Sequence, residues 1–133
     1  MTVGFVMLCH TALDRAAEVA RHWSKFDCPV VIHIDKRVKK AACQKMIDDL
    51  SGLTNVRFAP RHACEWGTWG IVAATIGASE IMLREFPQVR HVFLASGSCI
   101  PLRPIPELIS YLHDKPKTDF IESVTTADVG WTV

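Results

Sequence analysis

The sequence lacks several short motifs that identify nucleotide-binding and hydrolytic enzymes. No Gly-x-Gly-x-x-Gly follows its first apolar run and no Walker-type Gly-Lys-Ser/Thr occurs, so the common dinucleotide and P-loop phosphate sites are unsupported. Gly-x-Ser-x-Gly is also missing, which argues against the common hydrolase elbow. No Asp-x-Asp stands at the end of a predicted strand, so the sequence does not imply a divalent metal that bridges a nucleotide diphosphate.

An excess of one charge and long apolar runs are absent too. The 133 residues carry 15 Lys and Arg against 14 Asp and Glu, and only residues 36–40 are locally basic, so nucleic acid is not an expected partner. No apolar run is long enough to span a bilayer, and residues 1–10 lack the features of a signal peptide. We therefore expect no transmembrane segment and a cytoplasmic location, with peripheral membrane association as the alternative.

Zinc-site spacing is also absent from the cysteines. They are odd in number and form no C-x-x-C or Cys/His pattern: Cys9, Cys28, Cys43, Cys64 and Cys99. Because free cysteine is often buried, we expect reduced and mostly buried thiols in these positions. The sequence predicts neither a metal nor another cofactor.

The sequence does contain a regular alternation of short apolar strands and amphipathic helices. The predicted strands are 3–8, 30–34, 56–59, 91–95 and 119–122, and the predicted helices are 13–25, 40–50, 69–86 and 105–113. Thr11 followed by Asp14 predicts a variant of the capping box at the first helix. Since parallel strands need crossover connections, the pattern predicts one α/β domain with a mostly parallel sheet flanked by helices.

An acidic residue follows the second predicted strand. Asp35 comes directly after residues 30–34, and ligands bind beyond the carboxyl ends of the strands in open α/β sheets. Asp35 can therefore accept hydrogen bonds from the ribose or base of a nucleotide. The alternative is a strand-end acid that caps the next segment or pairs with Lys36 or Arg37. His33, inside the strand, is expected to be a core histidine with its hydrogen bonds satisfied.

Two tryptophan-glycine pairs lie around the start of the third predicted helix. Glycine lets the backbone approach a ligand closely, and the indoles of Trp66 and Trp69 can stack on a base or sugar ring. The alternative is that both indoles cover the core while Gly67 and Gly70 serve a turn.

A small polar loop follows the fourth predicted strand. Ser96, Gly97 and Ser98 offer hydroxyls and backbone amides to a sugar or phosphate, and a plain turn is the alternative.

In order and spacing, these segments resemble the core-2/I-branching glycosyltransferases (glycosyltransferase family 14), which include β-1,6-N-acetylglucosaminyltransferases and peptide O-xylosyltransferases. The resemblance runs from about Val3 to Ser123. The segments that carry it are Cys9-His10, His33-Ile34-Asp35-Lys36-Arg37, Trp66-Gly67 and Ser96-Gly97-Ser98-Cys99-Ile100-Pro101-Leu102. The resemblance implies a GT-A-like nucleotide-sugar-binding fold and an inverting, metal-independent transfer from a UDP-sugar.

The resemblance also implies which residues bind the donor. The uridine end of the UDP-sugar site would be lined by Cys9, His10, Asp35, Trp66 and Gly67. Asp35 would form a hydrogen bond with the uracil or ribose. The loop of Ser96, Gly97, Ser98 and Cys99 would approach the transferred sugar or the acceptor, although many relatives carry an acid where this chain has Cys99.

The resemblance places the catalytic base and the basic pair that neutralises the diphosphate later than this sequence extends. Glu122 and Asp128 do not match the base motif, so the catalytic residues remain unknown. Residues 125–133 carry neither a helix C-cap nor a polar tail. We therefore expect residues 1–133 to be the donor-binding N-terminal part of a catalytic domain, truncated at the C-terminus.

The expected reaction is transfer of GlcNAc from a UDP-sugar donor to a hydroxyl of a saccharide or glycoprotein acceptor. Two alternatives remain open: peptide O-xylosyl transfer from UDP-xylose, and a catalytically inactive nucleotide-binding fragment.

Overall fold

Strands and helices alternate strictly along the part of the chain that the computed structural model describes, residues 3–121, 123–125 and 127–128. The strands are β1 (Val3–Cys9), β2 (Val30–Ile34), β3 (Val56–Phe58) and β4 (His91–Ser96). The helices are α1 (Leu13–Lys25), α2 (Lys40–Leu50), α3 (Trp69–Glu85) and α4 (Ile105–His113).

The four strands form one parallel sheet in the order β3-β2-β1-β4. In its register, Phe5 of β1 lies opposite Val30 of β2 and Phe93 of β4. Residues of β1 and β2 are buried on both faces of the sheet, which explains their continuous apolar sequences. The α/β class and the parallel sheet are confirmed, and the arrangement is consistent with a GT-A-like fold.

The core lies on both faces of the sheet. On one face the Trp23 ring of α1 stacks on Phe5 with 4.1 Å between ring centroids, beside buried residues of α2 and α4. On the other face Met82 of α3 packs against Val6 and Val31. Burying each large apolar side chain contributes about 1.5–3 kcal/mol, so these two layers fix the positions of the strand ends.

β4 is an edge strand that is poorly covered. Val92, Phe93 and Leu94 are at least one-third exposed, whereas Ala95 is buried. The apolar sequence of β4 resembles that of β1, but its far edge has no paired strand within the described residues. The exposure of β4 is a property of the fold that its sequence does not reveal.

The predicted fifth strand at 119–122 is wrong where it can be tested. Residues 119–121 are irregular, and Glu122 lies outside the described residues. The Phe120 ring instead packs on the side chains of His91 and Tyr111, with 5.9 Å between centroids in both pairs. A strand needs a neighbour to bond its backbone groups. Here the segment is held by side-chain contacts without that pairing.

The bounds of α1 agree with the prediction, but its N-cap does not. Its N-cap is Ala12, in the left-handed region at φ 47°, and no side chain caps the helix. The chain turns sharply after β1, so the helix begins one residue later than a capping box from Thr11 requires. Asp14 instead pairs with Lys45 of α2 at 3.4 Å.

Candidate functional site

The carboxyl ends of β1, β2 and β4 meet the loop between β3 and α3 at one edge of the sheet. The amide of Asp35 donates to the carbonyl of Cys9 at 2.9 Å, and the amide of Gly97 donates to the carbonyl of Leu8, near the end of β1, at 2.8 Å. The amide of Lys36 donates to the carbonyl of His62 at 2.9 Å. Ligands bind at this edge in open α/β sheets. The fold therefore gathers the predicted site segments in one place.

Asp35 is buried at this edge and its carboxylate is fully bonded. Its Oδ1 accepts from the Arg37 amide at 2.8 Å and from Arg37 Nε at 3.0 Å. Its Oδ2 accepts from Arg37 Nη2 at 2.9 Å and from the Cys64 amide at 3.1 Å. The hydrogen bonds from the Arg37 guanidinium hold the pKa of this carboxyl well below its usual range, despite burial. Asp35 is therefore charged and paired with Arg37.

This pairing matches the alternative in which a strand-end acid binds its own neighbour. Arg37 is half-exposed, and its Nη2 also donates to the Cys64 carbonyl at 2.9 Å. A carboxylate has about four acceptor positions, and Asp35 uses that number. A nucleotide that bonds Asp35 has to replace one of these donors, whereas the outer side of the Arg37 guanidinium is presented to solvent.

Arg61 is a central residue of this edge that sequence reasoning missed. Its Nη2 donates to three carbonyls, those of Asp35 at 2.8 Å, Lys36 at 3.1 Å and Val38 at 2.6 Å. Its Nε donates to the Ile34 carbonyl at 3.3 Å. All four acceptors are backbone atoms, so no side-chain pattern in the sequence marks this interaction. The one available signal is the position of Arg61 just after the Pro60 that ends the third strand.

His33 holds the same loop from inside the sheet. Its Nε2 accepts a hydrogen bond from the His62 amide at 2.8 Å, so Nε2 carries no proton in this structure. Burial lowers the pKa of His33, and neighbouring His62 lowers it further. The prediction of a core histidine with satisfied hydrogen bonds is confirmed.

The two indoles beside this edge face solvent. Trp66 is 95% exposed and Trp69 is 70% exposed, so the alternative that they cover the core is wrong. Gly67 has φ 74°, a conformation that favours glycine, and it serves a turn. A Cβ at Gly70 would collide with the carbonyl oxygen of Ala63, so glycine there permits the helix to approach the loop. Exposed aromatic rings beside a strand-end site are available to stack on a planar ligand.

The two predicted residues at the end of β1 have different environments. Cys9 is buried, its thiol donates to the His33 carbonyl at 3.5 Å, and burial raises its pKa to about 12. Cys9 is therefore a core thiol whose backbone, bonded to Asp35, builds the edge. His10 is exposed directly after the strand. Cys28 and Cys43 are also buried, Cys64 is partly buried and Cys99 is exposed, and all five thiols are free.

The loop after β4 forms a tight turn of its own. The Cys99 amide donates to the Ser96 carbonyl at 3.0 Å, and the Ser98 amide donates to Ser96 Oγ at 3.2 Å. The Ser96 hydroxyl lies 3.4 Å from the Cys99 thiol. A Cβ at Gly97 would clash with Cys9, so the loop lies close against β1. This geometry fits the turn interpretation and leaves Ser98 and Cys99 exposed.

The same loop borders a cavity of about 610 Å³. Its walls are mainly apolar and include Phe93, Leu102 and Tyr111. Arg103 and Glu107 line it as well and pair with each other at 2.7 Å. The sequence reasoning identified the loop but not the cavity, because the cavity depends on how α4 lies against the sheet.

No helix in the described part of the chain combines the length and apolar character needed to cross a membrane.

Comparison with known proteins identifies the family of this chain. Among curated proteins, none matches this chain. A family model described as Core-2/I-Branching enzyme matches residues 3–131, which include every strand and helix described above. The chain therefore belongs to the Core-2/I-branching enzyme family of glycosyltransferases.

Proposed function

We propose that this chain is the donor-binding part of an inverting, metal-independent glycosyltransferase that transfers GlcNAc from UDP-GlcNAc to a hydroxyl of a saccharide acceptor. The observation that carries the proposal is the juxtaposition of the Asp35–Arg37 pair with the loop that leads to the exposed Trp66. A fixed pair of charges, hydrogen-bonded to a loop that carries an exposed aromatic ring, suits a ligand that combines a planar base with polar ribose hydroxyls.

Each predicted donor residue has a role consistent with its environment. Trp66 offers an indole face for uracil, and Gly67 sets the turn that presents it. His10 is exposed at the end of β1, and buried Cys9 contributes through its backbone. In this proposal Asp35 exchanges one of its four internal donors for a donor of the uracil or ribose. Exchange of one hydrogen bond for another costs little, because the number of hydrogen bonds to Asp35 stays the same.

The proposed reaction is a single displacement at the anomeric carbon. A general base takes the proton of the acceptor hydroxyl while its oxygen bonds the anomeric carbon from the face opposite UDP. The bond between the anomeric carbon and the phosphate oxygen breaks, and UDP leaves with that electron pair. We assign no residue of this chain as the base. The Ser96–Cys99 loop is the proposed neighbour of the transferred sugar or the acceptor.

Transfer of xylose from UDP-xylose to a protein serine is the second candidate. The segment His33–Arg37 suits a xylosyltransferase equally well, and the geometry of Asp35 and Arg37 concerns the nucleotide, which both donors share. The sugar therefore has to be identified by comparing donors directly.

Isothermal titration of UDP, UDP-GlcNAc and UDP-xylose in the presence of EDTA tests the proposal. We expect the wild-type chain to bind UDP without metal and Asp35→Ala to lose that binding. Asp14→Ala is the matched control, because Asp14 is an exposed acid on α1 that pairs with a surface lysine. A folded wild-type chain that binds none of the three ligands would contradict the proposal. Tighter binding of UDP-xylose than of UDP-GlcNAc would favour the second candidate.

A further inference from the structure

We infer that Arg61 is the positioning residue of the donor site, an inference that rests on the proposed function. Its guanidinium holds the segment that follows β2, and this places Asp35 and Arg37 next to each other at the site. The side chain of Arg61 acts through these residues and need not touch the ligand.

The Arg61 guanidinium is surrounded by backbone carbonyls. Four consecutive or nearly consecutive carbonyls, at Ile34, Asp35, Lys36 and Val38, converge on the Arg61 guanidinium at 2.6–3.3 Å. Carbonyl dipoles that point at one spot repel one another, and partly buried carbonyls need donors. A single cation satisfies both requirements here.

These acceptors suit arginine and not lysine. The bonds come from both Nε and Nη2 of a planar group, and Nη2 serves three carbonyls with two hydrogens, so one hydrogen is shared. An ammonium has three donors on one atom and lacks the rigid fork. We therefore expect lysine at position 61 to hold only part of this arrangement.

The segment that Arg61 holds is continuous with the candidate site. Residues 35–37 and 62–64 are bonded to each other directly: the Lys36 amide to the His62 carbonyl, the Cys64 amide to Asp35 Oδ2, and Arg37 Nη2 to the Cys64 carbonyl. We call residues 35–37 and 62–64 the clasp. Arg61 directly precedes the second of these two segments. Loosening Arg61 therefore displaces Asp35 and Arg37 together with the loop that leads to Trp66.

Arg57 provides a matched control. It is an arginine within β3 and also makes several hydrogen bonds, to the Thr54 and Val56 carbonyls at 2.9 Å and to Glu85. None of its partners belongs to the clasp, so Arg57→Ala removes comparable interactions without touching Asp35.

The test measures UDP affinity by titration for the wild-type chain, Arg61→Ala, Arg61→Lys, Arg57→Ala, Asp35→Asn and the double variant Asp35→Asn/Arg61→Ala. Hydrogen exchange of the Lys36, Arg37 and Val38 amides is recorded in parallel, because each of these amides donates a hydrogen bond to a clasp residue. We expect Arg61→Ala to weaken UDP binding by about tenfold or more and to accelerate exchange at these three amides. Arg61→Lys should recover part of the affinity, and Arg57→Ala should stay within about twofold of the wild type.

The double variant separates positioning from general stability. If Arg61 acts through Asp35, replacing Arg61 in the Asp35→Asn background should weaken binding by no more than about threefold further. Fully additive losses would overturn the inference, as would unchanged UDP affinity in folded Arg61→Ala. If Arg61→Ala does not fold, wild-type affinity in Arg61→Lys overturns it equally. A wild-type chain without UDP affinity would instead refute the proposed function, and the role of Arg61 at a donor site would fall with it.

Discussion

The Nε2 atom of His33 accepts a hydrogen bond from the backbone amide of His62 at 2.8 Å. A histidine inside a buried strand thus holds the loop that leads to the exposed indoles. The two imidazole rings also stack, with 5.9 Å between centroids. Because protonation of Nε2 would remove the acceptor, this contact links the loop to the charge state of a buried residue.

The stability of the protein should therefore decrease in mild acid. The pKa of His33 lies below its ordinary value of 6.5 in the folded chain, chiefly through burial, with His62 and Arg61 acting in the same direction and Asp35 opposing them. Below pH 6.5 the unfolded chain binds more protons at this site, so the contribution of His33 is complete above that pH and declines as the pH falls toward the folded pKa. Urea unfolding between about pH 7.5 and pH 4.5 measures this loss.

His33→Gln is the matched variant for the pH experiment, since its amide oxygen can still accept from the His62 amide. We expect it to show a smaller loss of stability across the same pH range. The lowered pKa of Asp35 also makes the free energy of unfolding fall in acid. That loss begins only when the pH drops below 3.8, the ordinary pKa of the carboxyl. Superimposable pH profiles of the wild type and His33→Gln would refute the role assigned to His33.

Asp35→Asn should destabilise the fold. The amide would keep one acceptor oxygen and turn a donor toward the Arg37 guanidinium, so two of the four hydrogen bonds at Asp35 would be lost. Hydrogen bonds to charged groups contribute about 1.5–3 kcal/mol each when buried, and Arg37 is half-exposed, so we expect a loss of about 2 kcal/mol in the free energy of unfolding. Asp14→Asn, on the surface, should change it by less than about 0.5 kcal/mol. Equal effects of the two variants would contradict this account.

Gly70→Ala should separate α3 from the preceding loop. A Cβ at position 70 would overlap the carbonyl oxygen of Ala63, and a backbone atom cannot swing aside as a side chain can. We expect a loss of about 1–3 kcal/mol in the free energy of unfolding, measured by denaturant titration. Gly77→Ala in the same helix faces open space and should instead gain up to about 1 kcal/mol. A neutral effect at position 70 would show that the loop moves freely.

Trp66→Ala should affect binding and not stability. The indole is almost fully exposed, so its removal should change the free energy of unfolding by less than about 0.5 kcal/mol. Stacking of a base on an aromatic ring contributes about 1–3 kcal/mol, so we expect UDP affinity to fall by about fivefold or more. Trp66→Phe, which keeps a ring, should restore most of it. Wild-type affinity in Trp66→Ala would exclude stacking at this position.

Most of the fold was predictable because buried apolar residues recur in the sequence with the period of a helix or a strand. The bounds of α1, α2, α4 and β2 agree with the prediction, since each has a clear apolar pattern between breakers. The segment 119–121 shows the limit of this reasoning. A short apolar run at the end of the chain looks the same whether or not a neighbouring strand pairs with it, and here Phe120 is held by two aromatic side chains instead.

The site was predictable where it depends on strand ends and not where it depends on backbone atoms. Asp35 was identified because an acid that follows a buried strand is unusual. The four carbonyls around Arg61 and the amide bonded to His33 are common to every residue type, so sequence gave no indication of them. The exposure of Trp66 was equally hidden, because the same residue in the same pattern could cover a core.

Because of the strand order, the two neighbours of β1 are synthesised at different times. β1 is synthesised before the other three strands and can pair with β2 soon afterwards, but its other neighbour is β4, where Val3 lies opposite His91. Pairings between distant segments form slowly, and synthesis proceeds at about 5–20 residues per second. One edge of β1 therefore stays unpaired for several seconds while the chain from α1 to α3 is synthesised. Nascent chains of this protein are most vulnerable to misassociation in that interval, before β4 closes the edge.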